Sequence, residues 1–137
     1  MEDLLVHSAR GIDEFLIYLV ACLALLTVFI CIYIWITPYK EVTLIREGNV
    51  AAAASLSGTL LGFAIPLAQA VAQSVHIVEM AMWGAVALAV QIFVYFVVSR
   101  LFPGIARDIP AGKLAPGIVL GTVSLATGIL NAACMTY

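Results

Sequence analysis

Residues 48–75 read GNVAAAASLSGTLLGFAIPLAQAVAQSV and hold no charged side chain. No other stretch limits the fold as tightly. A helix crosses the bilayer core in about 20 apolar residues at about 1.5 Å rise each, and this stretch is long enough. Its wealth of Gly, Ala, Ser and Thr suits helices that pack closely on other helices. A weaker copy begins 64 residues later, at Gly112, and reads GKLAPGIVLGTVSLATGILNAACMTY.

Two bulkier segments complete the set, so four runs free of charge have spanning length: 15–36, 50–75, 80–99 and 114–137. The chain is 64% hydrophobic and 10% charged, against about 45–50% apolar and 25% charged in soluble domains. The connections are too short for a soluble domain. The expectation is one all-α membrane domain over 1–137, with the bulky spans covering the small-residue ones.

Arg10 stands alone on one side, whereas Lys40, Arg46, Arg100, Arg107 and Lys113 fall in the first and third connections. The positive-inside rule places those two connections in the cytoplasm and both termini outside, in the periplasm. Glu2 and Asp3 replace a basic signal-peptide start, so the first span is expected to stay in the mature protein. A net charge of −2 offers no field for nucleic acid. Cys22, Cys31 and Cys134 are odd in number and lack metal spacing. The first two read as small apolar residues of span 1, and Cys134 sits near the end of the last span.

At an offset of 64, Gly48, Val50, Ala51, Leu56, Leu61, Ile65 and Ala68 match Gly112, Leu114, Ala115, Leu120, Leu125, Ile129 and Ala132. The reading is two tandem two-helix repeats, about 12–75 and 76–137. An even number of spans per unit makes them parallel.

Helical periodicity puts Ala51, Ser55, Gly58, Gly62, Pro66, Gln69 and Gln73 on one face of span 2. Gly117, Gly121 and Gly128, with Ser124, form a stripe in span 4. Helix packing is one reading of these stripes. The other has the span 2 face, with Gln69 and Gln73, lining a narrow polar pathway. The two stripes do not occupy equivalent positions of the repeat. Two separate contacts are therefore expected, one within the subunit and one between subunits of a homo-oligomer.

Pro66 removes the donor for the carbonyl of Gly62, and that carbonyl needs another partner inside a bilayer. Asn131 lies level with it in the last span and is expected to donate to the backbone around Gly62 and Phe63. No ionisable residue is expected near the midplane, which argues against a proton pump or voltage sensor. Asp13, Glu14, His76 and Glu79 read as solvated helix ends, and Lys40, Glu41, Arg46 and Glu47 as a loop. No nucleophile–base motif, phosphate loop or metal spacing is present. Catalytic residues, cofactors and metals are not expected.

The segments ITPYKEVTLIREGNVAAA (36–53), SLSGTLLGFAIPL (55–67) and GTVSLATGILNAACMTY (121–137) carry a further signal. On them the chain resembles the YjfL family of small bacterial inner-membrane proteins, a domain-of-unknown-function family. The resemblance implies four spans in two tandem units and assigns no reaction. Lys113 stands where a repeat of Asn49 would be expected. Two functional readings remain open: a non-enzymatic oligomeric component of an envelope assembly with a partner protein there, or a small oligomeric channel or transporter.

Overall fold

The computed structural model describes residues 1–135, so Thr136 and Tyr137 lie outside it. Four long helices carry the fold: α1 (Glu2–Ile36), α3 (Val50–Gln73), α4 (Ile77–Leu101) and α6 (Leu114–Cys134). Two short ones, α2 (Glu41–Arg46) and α5 (Ile105–Asp108), sit before α3 and α6. All four long helices are long and apolar enough to cross a membrane. Phe93, Leu130, Leu101 and Phe15 are each more than half exposed. Lipid is the surrounding that accepts such a surface.

α1 stops where Thr37 becomes extended before Pro38, because a residue preceding proline is pushed out of the α region. α2 ends at Gly48, whose φ of 86° suits glycine. Gly48 N donates to the carbonyl of Ile45 at 3.0 Å and Asn49 N to that of Leu44 at 2.9 Å. This Schellman pair satisfies the last carbonyls of the helix. The same bonds recur after α5, at Gly112 (φ 81°). There Gly112 N donates to Ile109 O and Lys113 N to Asp108 O, each at 3.0 Å.

Asn49 then caps α3, accepting from Ala52 N at 3.0 Å. Its Nδ2 donates across to Ile109 O at 2.9 Å, tying the two short-helix corners together. Lys113 provides no side-chain cap to α6. It pairs instead with Asp108 at 3.4 Å.

α3 and α6 form the most extensive helix pair. A Cβ on Gly117 would run into the backbone of Ala51, one on Gly58 into Gly121, one on Gly62 into Ser124, and one on Gly128 into Gly62. Partner numbers rise together along both helices. The expectation of two separate contacts is therefore corrected: two different small faces meet each other, and both are used up within one chain. Packing selects surfaces by shape and not by repeat position, so two non-equivalent stripes can serve one contact.

α1 is held differently. Of its 35 residues only Phe29 and Tyr33 are buried. Phe29 stacks on Phe63 with ring centroids 4.5 Å apart, and Tyr33 meets Tyr95 edge-on at 5.6 Å. These contacts clamp the last third of α1 against α3 and α4. Towards the other end, Tyr18 OH donates to Val75 O at 3.3 Å. Gly11, Glu14 and Phe15 line a cleft with Val71 and Ser74 at the end of α3, and residues 2–17 are exposed throughout.

Candidate functional site

The interior of the bundle is polar in one region. Gln91 on α4 has no exposed surface, and its Nε2 donates to Gly62 O at 2.9 Å and Ser124 O at 3.0 Å. One side chain thus joins α3, α4 and α6. The freed carbonyl opposite Pro66 has Gln91 as its donor, not Asn131. Asn131 Nδ2 is buried without a hydrogen-bond partner among the described residues. The offset of 64 placed Asn131 at the right level, but it does not show which helix stands nearest.

Further along α3, Ser55 Oγ donates to Ala52 O at 3.0 Å and Thr59 Oγ1 to Ser55 O at 2.7 Å. Thr59 Oγ1 also lies 3.5 Å from the Tyr33 hydroxyl and 3.4 Å from Ser124 Oγ. Ser55, Thr59, Gln91 and Ser124 are all fully buried. Gln69 is half-buried and Gln73 is exposed near the end of α3. The face leading to them through Ser55, Gly62 and Pro66 is buried in the bundle, with α6 against Gly62, so no open lining runs along it within one chain.

The polar region ends at Glu41, the first residue of α2. Read from the sequence as a loop residue, it is fully buried, and neither carboxyl oxygen has a hydrogen-bond partner among the described residues. Burial pushes its pKa from 4.5 up to about 8, with a weaker opposing pull from Thr37. The Thr37 hydroxyl is committed elsewhere, donating to Ile34 O at 3.1 Å. Tyr39 is raised well above the usual phenol range, first by burial and then by the Glu41 charge. Tyr33 and Tyr95 also lie within reach of that charge. A carboxyl group held this way is neutral at neutral pH, because an unpaired buried charge is disfavoured.

Sequence reading missed this group because hydropathy treats a charged residue between spans as solvated. The offset of 64 sets Glu41 level with the apolar Ile105, and both positions are buried.

The remaining candidates are dispersed. Glu79 Oε2 accepts from Val75 N at 3.2 Å, tying down the connection between α3 and α4. Asp13, Glu14 and His76 are exposed. Cys22 is half-buried, and Cys31 and Cys134 are exposed and free.

Four apolar spanning helices around a small polar interior define a multi-pass integral membrane protein. The family model described as Domain of Unknown Function (DUF350) matches residues 5–135. The chain belongs to that family. It is 39% identical over 131 residues to the UPF0719 inner membrane protein YjfL of Escherichia coli (strain K12), covering 96% of this chain and 99% of the relative. It is 28% identical over 118 residues to the UPF0719 transmembrane protein YshE of Bacillus subtilis (strain 168), covering 85% and 87%. No solved structure matches the chain.

Proposed function

We propose that this chain is a non-enzymatic, oligomeric protein of the bacterial inner membrane that serves as a structural or accessory component of an envelope assembly. The observation that carries this reading is the exposure of α1. Beyond Tyr18 the helix alternates Leu4, Leu5, Val6 and Ile12 with Glu2, Asp3, His7 and Arg10, all exposed. The start of this apolar and charged rod is exposed among the described residues, and a second copy or an envelope protein would cover it. The relatives' names, inner membrane protein and transmembrane protein, support the location.

The chain reads as two tandem parallel units. Matching Schellman bonds at Gly48 and Gly112, and the shared direction of α3 and α6, support this. The Lys and Arg distribution supports periplasmic termini, with α2 and α5 on the cytoplasmic side. The burial of the Ser55–Gly62–Pro66 face weighs against a channel through one subunit.

The test is to place a single cysteine at Leu5 in a cysteine-free background and crosslink it in intact membranes. The assembly reading expects a crosslinked homo-oligomer or a discrete heteromer. A monomer without crosslinks, combined with solute or ion flux in liposomes that is lost in Gln73→Leu, would replace it with the transport reading.

A further inference from the structure

Glu41 is a carboxyl group without a packing reason. Its oxygens have no accessible surface and no hydrogen-bond partner among the described residues. Each packed element presents a neighbour without positive charge. α1 brings Tyr33, the connection brings Tyr39 and α4 brings Tyr95, all within reach of the carboxylate charge. α3, which packs on α2, carries no ionisable side chain, and its buried Ser55 lies beside Tyr39. Lys40, its neighbour in sequence, is exposed, and the ion pair found among the described residues joins Lys113 to Asp108.

The second half of the chain shows what the fold itself requires at this place. Taking the tandem units of the proposed function, Glu41 corresponds to Ile105, which also opens a short helix and is buried. Thr37, Tyr39, Ser55 and Thr59 correspond to Leu101, Pro103, Val119 and Val123. All five of the first unit's residues are buried, whereas in the second unit Ile105 is buried and Leu101, Pro103 and Val123 are exposed. The position that takes an apolar side chain in one unit takes an acid in the other.

We propose that Glu41 is a proton-binding site built into the membrane bundle, and that its deprotonation moves α2 away from α3. The carboxyl oxygens have no accessible surface, and a proton is the ligand that can sit on them without any. On deprotonation the O–H bond breaks, the proton passes to water and the carboxylate keeps the electron pair. That charge then faces three phenols and no cation, so water must reach it. Beside α2 lies a cleft of about 270 Å³ whose lining includes Thr37, Pro38, Tyr39, Lys40, Glu41 and Thr43. The six residues of α2 lie between Pro38 and Gly48, two points where the chain can turn while α2 stays intact. The site stands apart from the assembly role, so a failure of the crosslinking test leaves it standing.

The test uses the full chain in lipid nanodiscs, with glutamate carbonyls isotopically labelled for infrared spectroscopy. A protonated-carboxyl band is expected at neutral pH, bleaching with a midpoint near 8 and absent from Glu41→Gln. Bleaching at the ordinary carboxyl value of 4.5 would overturn the site. The movement has its own readout, aqueous maleimide labelling of Ser55→Cys in a cysteine-free background. Dividing by the rate of the same cysteine with Glu41→Gln at each pH cancels the thiol's own ionisation. The ratio is expected to rise by up to about tenfold per pH unit as pH approaches the midpoint from below and to level off above it. A ratio constant with pH would overturn the movement, and one governed by sodium and not by pH would replace the proton with a metal cation. If Glu41→Gln does not fold, Glu41→Ile, which borrows the residue of the equivalent slot, serves as the reference.

Discussion

The Gln91 side chain donates from Nε2 to the carbonyl of Gly62 at 2.9 Å, and that carbonyl is the one Pro66 leaves without a helical donor. The proline bend in α3 and the glutamine of α4 thus form a single device. Interhelical bonds of this kind are worth about 0.6 kcal/mol on average and up to about 1.7. Gln91→Leu removes two of them and strands the Gly62 carbonyl. A loss of about 1–2 kcal/mol is expected in equilibrium unfolding in mixed micelles. Asn131→Leu gives up an amide nitrogen that has no hydrogen-bond partner among the described residues, so its stability should stay within about 0.5 kcal/mol of wild type.

The glycine contacts predict a sharp positional contrast. Gly128→Ala drives a methyl group into the backbone of Gly62, and Gly62→Leu does worse against Ser124. A methyl group on Gly11 meets nothing within 4 Å. Gly128→Ala should cost about 1–3 kcal/mol, whereas Gly11→Ala should be neutral or slightly stabilising. Thermal unfolding in detergent separates the two.

Glu41 makes stability depend on pH with a definite sign. Its folded-state pKa is raised from 4.5 to about 8, so the folded chain holds the proton more tightly than the unfolded one. Stability is fully present below 4.5 and is lost as pH rises through 8. The steepest loss is up to about 1.4 kcal/mol per pH unit. Glu41→Ile should abolish this slope and be the more stable protein in alkali. Unfolding followed across the pH range measures both.

Orientation is tested by labelling Arg46→Cys in a cysteine-free background with an impermeant reagent. Protection in intact cells and labelling after permeabilisation are expected. The opposite pattern would invert the topology.

The spans were legible in the sequence because an uncharged run of sufficient length has few alternatives. Both glycine stripes were legible because small residues at helical spacing mark close backbones. What met what was not. Gln91 and Asn131 are both amides in apolar helices, and only the packing of α4 against α3 and α6 makes the first a partner of Gly62. Glu41 was hidden for a related reason. Whether a short helix folds back over its own acid depends on Tyr39 and the end of α1, which hydropathy does not weigh.

The pairing of α3 with α6 also dictates an order of events during synthesis. Gly58 and Gly121 are 63 positions apart in the chain, and the intervening α4 must enter the bilayer first. A nascent chain that has delivered α3 and α4 but not α6 presents an open glycine groove to lipid or to any neighbouring helix. Until the last span leaves the ribosome, the glycine face of α3 lacks the α6 backbone that covers it in the finished fold.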